Sequence, residues 1–108
     1  MNQQLINYKR SKMVQKTYLK TKDLCKVKFS VDADNAKSVK ILGLNDDWNT
    51  PVVMSKKKTG EFSIEVSLPK NSAHQFKYLI DDSEWIIDPQ SDSLSPDAFG
   101  GNNSVISL

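Results

Sequence analysis

From Cys25 to Val31 the side chains alternate without a break, with Cys25, Val27, Phe29 and Val31 apolar and Lys26, Lys28 and Ser30 polar. A period of two is what a half-buried β-strand requires. The same period runs through Glu61 to Leu68, where Phe62, Ile64, Val66 and Leu68 oppose Glu61, Ser63, Glu65 and Ser67. That run is bracketed by the turn formers Thr59-Gly60 and Pro69-Lys70-Asn71. Gln75 to Ile80 sets Phe76, Tyr78 and Ile80 against Gln75, Lys77 and Leu79, and Asp81-Asp82-Ser83 turns it into Trp85-Ile86-Ile87, a predicted hairpin. Shorter strands are expected over Ser38 to Leu42, Val52 to Met54 and Ser104 to Leu108, and the Pro-, Ser- and Gly-bearing stretch Asp88 to Asn103 reads as loop. About seven short strands with no convincing helix between them predict an all-β fold, an antiparallel β-sandwich of the immunoglobulin kind.

The first residues break this pattern. Leu5, Ile6, Met13 and Val14 recur imperfectly at helical spacing and no clear stop follows, so 1–22 is expected to be a leader, partly helical or disordered, ahead of one domain over 23–108. Charge divides the chain at the same place. The net charge of +2 hides six basic residues and no acidic one in 1–22, which leaves nine basic against thirteen acidic in the remainder. A basic leader on an acidic body could meet nucleic acid, an anionic surface or an acidic protein partner, or be a solvated, partly helical tail; no Arg-rich or aromatic-interleaved surface accompanies it, so the solvated tail is favoured and nucleic acid is not expected as a partner.

With 108 residues there is room for one core. No apolar run approaches the ~20 residues of a membrane span and no signal-type block opens the chain, so no membrane partner and a cytoplasmic location are expected. Cys25 has no second cysteine to pair with and reads as a small buried apolar residue, and His74 is the single histidine. No metal site or cofactor is expected from such a set. Asp32-Ala33-Asp34-Asn35 begins like a calcium loop but lacks the glycine and distal glutamate, and is read as a turn.

Some side chains are left over once the core is assigned. Trp48 lies in Gly43-Leu44-Asn45-Asp46-Asp47-Trp48-Asn49-Thr50-Pro51, a loop by its composition. Its indole either folds back as a lid on the sandwich or stands open as a platform for the C–H face of a sugar ring. Trp85, after a polar turn, admits the same two readings. Lys77 projects away from Phe76 and Tyr78 by strand parity, either solvated or offering three donors to hydroxyls. Asn103 follows Gly100-Gly101-Asn102, where its amide could meet a ligand or tie up the loop backbone.

Read together, Gly43 to Trp48, Gly60-Glu61-Phe62, Leu68-Pro69, His74-Gln75-Phe76-Lys77-Tyr78, Ile80-Asp81-Asp82, Trp85, Asp88-Pro89 and Phe99-Gly100-Gly101-Asn102-Asn103-Ser104 resemble the glycogen-binding module. That module is found in the β-subunit of AMP-activated kinase and as the early-set domain of isoamylases and glucan branching enzymes. The resemblance covers roughly residues 23–108. It implies an early-set sandwich that binds α-1,4-linked glucan such as glycogen or starch, with Trp48 and Trp85 stacking on glucose rings and Lys77 and Asn103 bonding hydroxyls. Phe99 and Gly101 would add apolar and backbone contacts, and a glucan-metabolising enzyme or a regulatory protein would be the partner. Two positions depart from the family pattern: Asn45 stands where an aromatic usually anchors the Trp48 loop, and Asp82 where a glycine usually closes the hairpin turn.

Catalysis is not expected. Glycoside hydrolysis needs two carboxylates roughly 5–10 Å apart across a cleft, and Asp46, Asp47, Asp81, Asp82 and Glu84 all fall in predicted surface turns, where nothing would raise a pKa to make a general acid. A hydrolase label could be inherited from associated amylase-type enzymes. The expected function is therefore non-catalytic α-glucan binding; the alternative is a protein-interaction or regulatory adaptor that keeps the sandwich without the sugar, using the basic leader or a sheet edge.

Overall fold

A computed structural model describes residues 14–33 and 35–108. Residues 1–13 of the predicted leader, and Asp34 of the calcium-like turn, lie outside the described residues. Among the described residues ten strands follow one another: β1 Val14–Tyr18, β2 Leu24–Asp32, β3 Val39–Leu42, β4 Val52–Val53, β5 Ser55–Lys56, β6 Glu61–Pro69, β7 Ala73–Ile80, β8 Glu84–Ile86, β9 Ser93–Pro96 and β10 Asn102–Ser107. One sheet has the order β1-β2-β6-β5 and the other β4-β3-β7-β10-β9, with β8 attached to β7. Every pairing is antiparallel. The all-β sandwich expected from the alternation is the fold observed.

Its core is the set of inward positions that the period of two selects. Cys25, Val27, Phe29, Val31, Val39, Ile41, Leu68, Phe76 and Tyr78 are fully buried, and Phe62 and Ile106 nearly so. Phe29 of one sheet meets Phe76 of the other edge to face, with ring centroids 5.2 Å apart, a favoured aromatic geometry.

Three strands exceed the seven expected. Val14–Tyr18 pairs along its whole length with β2, so this part of the expected leader is a strand of the sheet and not a helix. The apolar alternation that would have revealed it is interrupted by Lys16, which shares the inward parity of Val27. At this edge its ammonium reaches across to the other sheet, 2.7 Å from Asp92 Oδ2 and 2.9 Å from the Ser107 carbonyl. β9 falls within the predicted loop Asp88 to Asn103; it is an edge strand held by its ladder with β10, and Pro96 is tolerated because edges can lack a donor. β5 is a two-residue edge strand on β6.

Asp88, also read as loop, is fully buried and anchors β8 to the sandwich. Tyr78 Oη donates to its Oδ2 (2.8 Å), the Gln90 amide donates to its Oδ1 (2.8 Å), and its own amide donates to Ser104 Oγ (2.7 Å). Burial pushes the carboxyl up and the Tyr78 phenol well up from their ordinary values. The segment that carries the β9–β10 loop therefore leaves the core from a fixed point.

Candidate functional site

On β7, His74, Phe76, Tyr78 and Ile80 point inward, so Gln75, Lys77 and Leu79 occupy the outer face. Leu42 stands opposite Lys77 in the ladder and is buried, so this part of the outer face is covered and not solvated. The structure brings Trp48, Lys77, Trp85, Asp97, Ala98, Phe99 and Asn103 around one cavity of about 590 Å³. Five of the six residues singled out from the sequence are among them. Gly101 is the exception.

The Trp48 loop is built on Gly43, whose φ is +106°. A Cβ at Gly43 would overlap the Gln75 carbonyl oxygen and stand 2.6 and 2.8 Å from Cζ2 and Cη2 of Trp48. The indole therefore lies against the bare α-carbon, half-buried, and lines the cavity as well. Its loop is pinned at several points. The Gly43 amide donates to the Asp47 carbonyl (3.0 Å), and Asp47 Oδ1 accepts from the amides of Asn49 (3.0 Å) and Thr50 (3.1 Å), which holds that carboxyl below its ordinary range.

Asn45, where the family pattern has an aromatic, adopts a left-handed conformation (φ 57°) that asparagine tolerates. Its amide donates to His74 Nδ1 at 3.2 Å, and His74 Nε2 lies 2.9 Å from Ser72 Oγ. With Nδ1 accepting, the proton is on Nε2, and the imidazole is neutral. Burial lowers its pKa. A histidine whose folded pKa lies below its unfolded value binds its proton more readily when unfolded, so the stability it supports is present above the ordinary pH of about 6.5 and is lost as pH falls below it. Acidification from pH 7.5 is expected to loosen the Trp48 loop below about pH 6.5, read as a change in tryptophan emission that His74→Gln removes.

Trp85 is held by the hairpin. Asp81 and Asp82 both take left-handed angles (φ 52° and 56°), and the Ser83 amide closes the turn on the Ile80 carbonyl at 3.0 Å. Asp82 thus supplies the conformation that a glycine would give. Asp81 Oδ1 accepts from the amides of Lys37 (2.7 Å) and Ser38 (3.0 Å), and Asp82 pairs with Lys40 at 2.6 Å. In this register Trp85 faces Leu79, on the same side of the sheet as Lys77, and is 51% exposed.

The third wall is the loop between β9 and β10. Phe99 is 95% exposed at its tip. The sequence reading missed Asp97, which organises this loop: its Oδ1 accepts from the amides of Phe99 and Gly101, both 2.8 Å, while Oδ2 meets Lys77 Nζ at 2.6 Å. These contacts, Lys77 foremost, lower its pKa to about 2. An aspartate preceding Ala-Phe-Gly-Gly is an Asx-turn signal, but the pairing with a lysine twenty residues away has no sequence signature. Gly101 turns its amide to Asp97 and not to the cavity, and its lack of a side chain lets the carboxylate approach. Asn103, only 8% exposed, donates from Nδ2 to Gln75 Oε1 at 2.9 Å and not to the loop backbone, keeping Oδ1 as an acceptor. Among the described residues no group of three or more His, Cys, Asp or Glu could hold a metal ion.

A family model described as the glycogen recognition site of AMP-activated protein kinase matches residues 25–108. The chain belongs to this glycogen-recognition family. It is a family of carbohydrate-binding modules, non-catalytic in themselves. A search of curated proteins finds no match. Among solved structures, the chain is similar to the enterobactin esterase FES from Shigella flexneri (TM-score 0.72, 11% identity, 94% of this chain and 34% of that one). It is also similar to the Group B Streptococcus pullulanase SAP in complex with maltotetraose (TM-score 0.63, 17% identity, 95% and 15%). A third likeness is to a putative α-amylase from Salmonella typhimurium (TM-score 0.60, 18% identity, 90% and 15%). At these identities the likeness is one of fold. The chain spans about a third of the length of the esterase and less of the others.

Proposed function

We propose that this glycogen-recognition module binds α-1,4-linked glucan in the trough between Trp48, Trp85 and Phe99. Glucose rings stack on the two indoles, Lys77 donates to ring hydroxyls with the N–H groups that Asp97 does not take, and Asn103 accepts through Oδ1. The observation that carries this reading is the convergence of two tryptophans, one from a loop and one from strand β8 and half open to solvent, with a lysine and an asparagine around a single cavity of about 590 Å³. A pyranose has apolar C–H faces and a rim of hydroxyls, and a trough with aromatic walls and a few fixed polar groups complements both. The cavity volume falls within the range of small-ligand sites.

The turn carboxylates support a binding role over a catalytic one. Asp47 and Asp81 are held below their ordinary range by backbone amides, and Asp82 is paired with Lys40; a general acid needs the opposite shift. In this reading a glucan-metabolising enzyme or a regulatory protein is the partner that the module brings to the polymer. Few contacts on an open site give an affinity in the micromolar to millimolar range. Native electrophoresis tests it: migration is expected to slow in gels containing amylose or glycogen and to stay unchanged in gels containing soluble β-glucan. Equal migration in all of them would remove the glucan reading.

A further inference from the structure

Among the described residues around the cavity Lys77 is the one basic side chain, and its neighbours there are apolar except for Asp97 and Asn103. Its side chain is 18% exposed and that of Asp97 9%. A lone ammonium at the base of an apolar trough concentrates its field and attracts anions. Here it is not alone. Asp97 Oδ2 stands 2.6 Å from Nζ, so the base of the trough carries no net charge. The carboxylate is also fixed in place: the amides of Phe99 and Gly101 both hold Oδ1, and Asp97's own amide donates to the Gly101 carbonyl at 3.0 Å. It cannot swing aside when a ligand arrives, as the partner in a flexible surface ion pair could.

We infer that Asp97 is a specificity-determining residue, through which the trough takes uncharged glucan and rejects chains bearing phosphate, sulfate or uronate groups. This rests on the glucan reading above. Specificity of this kind comes from a repulsive element as well as from contacts to the preferred ligand. An anionic substituent drawn to Lys77 must sit within a few ångströms of the fixed carboxylate, where the like charges repel. A hydroxyl meets no such repulsion and uses the ammonium's remaining donors. The carboxyl, at about 2, stays ionised throughout the neutral range.

The test compares wild type with Asp97→Asn, which keeps an oxygen for the two loop amides and removes the charge. Asp97→Ser serves as a second neutral variant. The probes are maltoheptaose, maltoheptaose sulfated at its primary hydroxyls, and inorganic phosphate, each at low and at physiological ionic strength. In wild type the sulfated chain is expected to bind at least about tenfold more weakly than the neutral one. In both variants that ratio should fall to within about threefold or reverse at low salt, each ratio being taken against the same protein's own affinity for the neutral chain. Any effect of sulfation on stacking cancels in the comparison of ratios. The same ratio in wild type and variants would overturn the assignment. If maltoheptaose binds none of the proteins, the glucan reading fails by itself. The role of Asp97 is then read from inorganic phosphate, followed by amide shifts at Lys77, Phe99 and Gly101. Uptake by the variants and not by wild type supports it, and equal uptake sinks it.

Discussion

Trp85→Ala is expected to weaken α-glucan binding by about 5- to 150-fold, the equivalent of the ~1–3 kcal/mol that an aromatic platform contributes when a flat ring stacks on it. The fold should hardly notice. Trp85 lies on the outer face of a hairpin whose turn is fixed by Asp81 and Asp82, and it is 51% exposed. Removing an exposed side chain of this kind changes stability by about 1 kcal/mol or less. Titration calorimetry with maltoheptaose beside a thermal melt separates the two effects: a lost binding isotherm with an unmoved melting temperature. Undiminished affinity in this variant would mean that the indole is not a platform. Trp48→Ala should cost binding to a similar extent and stability as well, because its ring also packs on Gly43.

Gly43→Ala is expected to be the most damaging single change near the site. The residue sits at φ +106°, which a side chain rarely adopts, and the added methyl overlaps the Gln75 carbonyl oxygen and two atoms of the Trp48 ring. Backbone strain and overpacking together amount to about 2–4 kcal/mol, or roughly 10–20 °C in melting temperature for a domain of this size. Because the ring has to move, Trp48 emission should shift and glucan affinity fall in the same variant. Wild-type stability with wild-type emission would contradict the packing of Trp48 on Gly43.

The strands that alternate strictly were legible because burial on one face leaves a period-two trace: β2, β6 and β7 lie within two residues of their expected ends. The ones that escaped are edge strands. β1 carries Lys16 at an inward position, and β9 carries serines and a proline, because an edge is held by its ladder and needs little apolar surface. Trp48, Lys77, Trp85 and Asn103 stand out as residues that the core does not explain, Phe99 comes from the resemblance to a known pattern alone, and the five meet at one cavity. Asp97 escaped because its importance lies in a contact between its loop and Lys77 on β7, twenty residues away in the chain. The two departures from the family pattern show the same limit. How Asn45 is anchored depends on His74, 29 positions later in the chain, and Asp82 reproduces a glycine's backbone angle with support from Lys40. Neither compensation can be read along the chain.

The most direct measurement is a 1H–15N titration of the full chain with maltoheptaose, following the two indole Nε1–H signals, the Asn103 carboxamide and the Phe99 and Gly101 amides. The trough account predicts that both indoles and these loop signals shift together along one saturation curve, while amides of the opposite sheet, such as Lys26 and Glu65, stay in place. Shifts confined to other parts of the surface, or none at millimolar glucan, would contradict it.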